Sequence, residues 1–94
     1  MRVRWSEKAR RDIRAIRSQR ALYSVDSSNA LVKAIARRTG QLAEFPDSGR
    51  MIPEFENPYV RELIEQDYRI MYERFPDHIL IIAVLPGRMS VEPE

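Results

Sequence analysis

Four arginines and three tyrosines, Arg50, Arg61, Arg69 and Arg88 with Tyr59, Tyr68 and Tyr72, are the side chains best suited to chemistry in this chain. Arginines on adjacent strands can grip a phosphate through paired hydrogen bonds, and a tyrosine can stack on a base or transfer a proton. Such a set can make a nucleic-acid site. The same residues also admit a structural reading, in which Tyr68 and Tyr72 fill the core face of a sheet while Arg61 and Arg69 pair with Glu62, Glu65 or Glu73 across strands. Acids outnumber bases in this part of the chain, which blunts any field that would attract a phosphate.

Other chemistries find less support. There is no cysteine, hence no disulfide framework and no thiolate site. His78 is the sole histidine, and scattered carboxylates show no ligand spacing on a common element, so no metal site and no cofactor are expected. Gly40, Gly49 and Gly87 are isolated, so no phosphate-cradling loop is present, and a serine hydrolase arrangement is missing as well. His78 opens a strand beside a turn and reads as a surface residue rather than a general base.

The elements that position these residues follow from periodicity. Val3 and Trp5 alternate with Arg2 and Arg4, the pattern of a short strand with one buried face. Ser6 offers an N-cap and Glu7 an anion for the first turn, and Ala9, Ile13 and Ile16 make one stripe, predicting a helix from about Ser6 to Arg20. The polar stretch Ser24-Val25-Asp26-Ser27-Ser28 reverses the chain into a second helix, with Leu31, Ala34, Ile35, Arg38, Leu42 and Phe45 on one side. Pro46 ends it, and Asp47-Ser48-Gly49 is turn chemistry. Strands follow: a short edge strand Met51-Ile52-Pro53-Glu54, then Val60 to Ile64, Tyr68 to Phe75 and His78 to Leu85. The last is apolar on both faces, which marks it as central or covered by the helices. Pro86-Gly87 stops it, and the tail from Val91 to Glu94 is too short and polar to fold alone. The expected architecture is one α+β domain over residues 1–94, an N-terminal strand and a two-helix hairpin packed on an antiparallel sheet.

Charge divides along the chain. Residues 1–45 hold 11 of the 16 Lys and Arg but 4 of the 14 Asp and Glu, so a basic half precedes an acidic one. The halves suit different partners, although the arginines between Arg10 and Arg20 also fit a solvated helix face. No apolar run approaches the roughly 20 residues a membrane span needs, and the first residues lack a leader-like apolar segment. No membrane association is expected, and a reducing cytoplasm fits.

Taken in order, Trp5-Ser6 with Ala9 and Asp12-Ile13, Leu42, Pro46, Gly49-Arg50, Val60-Arg61-Glu62-Leu63, Tyr68-Arg69-Ile70-Met71-Tyr72 and a final aliphatic strand ending in Gly87-Arg88 resemble the ParE/RelE toxin superfamily of type II toxin–antitoxin modules. The resemblance covers nearly the whole length. In its RelE-like branch, which cleaves mRNA on the ribosome, it implies lysines on the strand matching Tyr59 to Leu63, arginines matching Arg69 and Arg88, and a C-terminal tyrosine or a histidine near the end of the last strand. Here the lysine positions fall on Val60 and Glu62, Leu85-Pro86-Gly87 stands in the histidine region, and no tyrosine follows Arg88.

The Arg-Glu-Leu strand followed by Tyr-Arg-Ile-Met-Tyr is more similar to the ParE-like branch, whose members bind DNA gyrase and trap its cleaved-DNA complex. Pro86 and Met89 depart from the histidine and arginines with which many members of that branch end. This resemblance implies a non-enzymatic gyrase inhibitor with a cognate antitoxin as partner. Direct nucleic-acid binding is not expected. Arg50, Arg61, Tyr68, Arg69, Tyr72 and Arg88 are then candidates for target contact. Arg10, Arg14 and Arg17, on one side of the first helix, are candidates to receive an acidic antitoxin segment. The alternatives are a RelE-like ribonuclease using Arg69 and Arg88, or an inactive toxin kept as an interaction module.

Overall fold

The computed structural model describes residues 1–88, with β1 (Arg2–Trp5), α1 (Glu7–Ala21), α2 (Val25–Gly40), a 3-10 turn (Gln41–Ala43), β2 (Arg50–Met51), β3 (Val60–Glu65), β4 (Tyr68–Arg74) and β5 (His78–Pro86) in chain order. The expectation for the tail from Val91 to Glu94 lies outside the described residues.

Ser6 converts a strand into a helix. Its Oγ accepts the Ala9 N–H at 3.0 Å, capping α1, and donates to the Ile82 carbonyl at 2.9 Å. Two turns on, Asp12 Oδ2 accepts the Val84 N–H at 3.0 Å and Lys8 Nζ at 2.8 Å. These backbone groups lie just past the end of β1, which stops opposite Ile81, and at a bulge in β5: Met71 faces Ala83 while Tyr72 faces Ile81, leaving Ile82 as the extra residue. Thus α1 is fastened to β5 where the ladder is interrupted. The second helix starts on Ser24, whose Oγ accepts the Ser27 N–H at 3.1 Å. Buried Ser28 donates to the Arg17 carbonyl at 2.8 Å, which ties the two helices together.

The sheet order is β1-β5-β4-β3-β2. The helical hairpin lies on a sheet as expected, yet the sheet is mixed rather than wholly antiparallel. β1 runs parallel to β5, from Arg2 opposite His78 to Trp5 opposite Ile81, whereas the other neighbours are antiparallel. No hairpin joins β1 to β5, so nothing local forces them antiparallel.

Two apolar clusters cover the two faces. Ala9, Ile16, Leu31, Ile35 and Leu42 pack on Leu63, Ile70, Tyr72, Ile79, Ile81 and Val84. On the far face, Ile52 and Phe55 from the segment after β2 pack with Val60, Met71, Ala83 and Leu85. The helices therefore cover one side of β5 and an irregular strap the other, which explains its apolar character on both faces.

Two local expectations are corrected. The second α-helix ends at Gly40 rather than running to Pro46, and the following 3-10 turn buries Leu42 but leaves Phe45 58% exposed. Tightening to three residues per turn carries position 45 off the helical stripe. The edge strand is Arg50–Met51 rather than Met51 to Glu54. Pro53 lacks the N–H that would extend the ladder, and Ile52 turns under the far face instead.

Candidate functional site

Glu62 stands at the centre of the far face with a fully buried side chain. Its position on β3 places it directly opposite Arg50 of β2 and one diagonal from Arg69 of β4, which pairs with Ile64. Glu62 Oε2 accepts from Arg50 Nε at 2.7 Å, and Oε1 from Arg69 Nε at 2.6 Å. The terminal nitrogens of Arg69 reach the two oxygens of Glu54 at 3.1 and 3.2 Å, a bidentate pair with the strap. Arg69 is 6% exposed, and the cluster of two arginines and two glutamates is formally neutral. The hydrogen bonds that Arg69 donates to Glu54 raise the basicity of its guanidinium; burial opposes them, and Glu62 adds to the increase. The arrangement clamps the strap to the sheet.

Tyr72 points to the opposite face. Its hydroxyl accepts the Gly49 N–H at 2.9 Å and donates to the Pro46 carbonyl at 2.9 Å, and burial pushes the phenol above its ordinary pKa. Gly49 is required here, because a Cβ would lie 2.6 Å from the Tyr72 ring and hydroxyl and 2.8 Å from the Glu62 carbonyl. Arg61 donates to the Pro58 carbonyl at 3.0 Å and the Gly49 carbonyl at 2.9 Å, bracing the loops on either side of β2. Tyr68 is half-buried against the helix-side core, and Arg88 is exposed on the turn after β5. The six candidates therefore do not converge: Arg50 and Arg69 share one cluster, Tyr72 lies on the other face, and Arg88 stands at the end of the sheet.

His78 stacks on Phe75 with ring centroids 4.6 Å apart, and its Nδ1 lies 2.8 Å from Asp77 Oδ1. It is a half-buried cover for a turn, less open than a surface position implies. That hydrogen bond with His78 is the main reason the Asp77 carboxyl is held below its usual pKa. Among the described residues no cluster of His, Asp or Glu could hold a metal, and no helix is long and apolar enough to cross a membrane.

A second feature lies on the helical side. Val3 and Trp5 of β1, Ile13 of α1, and Val32 and Ala36 of α2 line an open, mostly apolar groove of about 410 Å³, with Arg10 at its rim. β1 is the outermost strand there. Arg14 is exposed on the same helix, and Arg17 donates to Asn29 Oδ1 at 3.3 Å. Helical spacing grouped the three arginines, but the groove beside them depends on β1 lying next to the hairpin, which periodicity does not reveal. Glu54 was likewise missed: it belongs to no strand, and only the folded strap brings it to Arg69.

A family model described as ParE toxin of type II toxin-antitoxin system, parDE, matches residues 3–91. Among solved structures, a chain described as "Chromosomal ParDE TA system from P. aeruginosa" is similar with a TM-score of 0.77 and 22% identity, over 92% of this chain and 95% of that one. At that identity the likeness is one of fold. No curated protein matches the sequence.

Proposed function

We propose that this chain, which belongs to the ParE toxin family of type II toxin–antitoxin systems, arrests growth in the cytoplasm by inhibiting DNA gyrase and is neutralised by a cognate antitoxin. The observation that carries this reading is the Arg69 ion-pair cluster. Cleavage of RNA by its own 2′-hydroxyl needs a base, an acid and cations that stabilise charge developing on the phosphate. Arg69, the strand arginine that would serve, turns Nε to Glu62 and both terminal nitrogens to Glu54. Withdrawing it toward a phosphate would leave Oε1 of the buried Glu62 carboxylate without its donor, with only Arg50 still paired to Oε2, and would release Glu54 as well. The far face is therefore better suited to holding the fold than to turning over RNA, which favours an inhibitory binding protein.

The groove between β1 and the hairpin supports the antitoxin half of the proposal. Its lining offers apolar area, Arg10 and Arg14 offer positive charge, and β1 offers an edge for strand addition. An amphipathic, acidic antitoxin segment is the complementary occupant. Induction of this chain in cells tests both halves together. The expected outcome is growth arrest with broken chromosomal DNA and intact mRNA, relieved by co-expressing a small antitoxin-like frame from beside its gene. Arrest with fragmented mRNA and intact DNA would overturn the choice of target, and arrest unaffected by the neighbouring frame would overturn the choice of partner.

A further inference from the structure

A small cleft opens where the end of α1 meets the β3–β4 turn and the end of β5, away from both features described above. Arg20, Tyr23, Asp67, Tyr68 and Arg88 line it, its lining is more polar than apolar, and its volume is about 260 Å³. The geometry points to a binding site for a phosphate group, held between the Arg20 and Arg88 guanidinium groups, with Tyr23 available to stack on an attached base.

The first support is an unsatisfied donor. Arg20 Nε is buried and has no hydrogen-bond partner, while one terminal nitrogen makes only a long contact, 3.4 Å, to Gln66 Oε1. Arg20 is in no ion pair of the described residues, so its terminal N–H groups beyond that long contact have donor capacity for an anion in the cleft. Gln66 sits at φ 53° in the tight β3–β4 turn, so the contact that tethers Arg20 is made by a residue in the left-handed region. The second support is the local charge. Arg88 has no hydrogen bond or ion pair among the described residues, leaving two guanidinium groups against the one carboxylate of Asp67.

The C-terminus of a helix disfavours an anion, and the two guanidinium charges have to outweigh that. The Gln19 carbonyl accepts from Leu22 N–H, and the Arg20 carbonyl accepts from the N–H groups of Tyr23 and Ser24, so these acceptors are occupied. Gly87 N–H donates to the Asp67 carbonyl at 2.6 Å, which fixes the turn bearing Arg88 beside the turn bearing Asp67. Tyr23 is 87% exposed and so presents a ring face to solvent at the cleft mouth. None of this depends on gyrase being the target.

The test titrates the full chain with inorganic phosphate, a 5′-mononucleotide and a short single-stranded oligonucleotide, following the arginine Nε–H and tyrosine signals by NMR. Binding that Arg20→Gln or Arg88→Gln weakens about tenfold or more, and that Lys33→Gln changes less than about twofold, is the expected result. Saturation by phosphate or mononucleotide assigns the cleft to a free ligand, and binding confined to the oligonucleotide assigns it to a strand phosphate. Absence of binding by all three probes would overturn the site. So would an equal loss on Lys33→Gln, which would reduce the effect to net charge. Arg88 lies on an exposed turn, so its variant remains informative if Arg20→Gln fails to fold.

Discussion

Glu62 and Arg69 sit on neighbouring strands one diagonal apart, with Oε1 and Nε 2.6 Å from each other and almost no solvent access to either side chain. The pair is part of the fold before it is anything else. Glu62→Ala leaves the Arg69 Nε donor buried without its carboxylate, and destabilisation of about 3–5 kcal/mol is expected from breaking such a pair. Replacing both partners together, Glu62→Leu with Arg69→Met, removes both charges from that site and should recover most of the loss. Urea midpoints of the native chain and the two variants check this; a double variant no better than Glu62→Ala would contradict a pairwise role.

Tyr72 makes stability depend on pH at the alkaline end. Burial holds its folded pKa above the unfolded value of roughly 10, so the folded state keeps the proton that the unfolded chain loses first. The contribution is fully present below that unfolded value and is lost as pH rises through the folded one. Urea midpoints from pH 8 upward should fall more steeply above about pH 10 for the native chain than for Tyr72→Phe.

Removing the Tyr72 hydroxyl has a second consequence. Tyr72→Phe leaves the Gly49 N–H and the Pro46 carbonyl without a partner and should cost about 1–3 kcal/mol at neutral pH. Gly49→Ala should be destabilising too, and Tyr72→Phe should not rescue it. The added Cβ still meets the ring and the Glu62 carbonyl after the hydroxyl is gone. Thermal melts of the single and double variants decide the matter.

For the antitoxin groove, reversing charge at Arg10, Arg14 and Arg17 together should weaken antitoxin binding about tenfold or more while leaving the melting temperature close to native. Ile13→Asp, which places a carboxylate in the apolar floor, should weaken it further. Unchanged affinity in the triple variant would end the idea of a basic stripe.

Much of this fold is legible in the sequence because its signals are local. Ser6 and Ser24 cap the helices they precede, the turns at Gln66 and Asp77 fall between apolar-rich strand segments, and the aliphatic run from His78 has the length of one strand. The parallel pairing of β1 with β5 is not legible, since it joins residues 76 positions apart and leaves no periodic trace. The site was only partly readable for the same reason. Pairing of Arg69 with Glu62 follows from strand proximity, but the bidentate hold of Glu54 depends on an irregular strap. Phe45 misled because a tightened last turn leaves the apolar stripe without any change in composition.

The most direct measurement is the fraction of plasmid linearised when purified chain is added to gyrase and supercoiled DNA, run beside mRNA on translating ribosomes. The account predicts linear DNA that rises with dose and depends on gyrase, while the mRNA stays full-length. Codon-positioned mRNA cuts that vanish on Arg69→Ala or Arg88→Ala, with the plasmid intact, would contradict it.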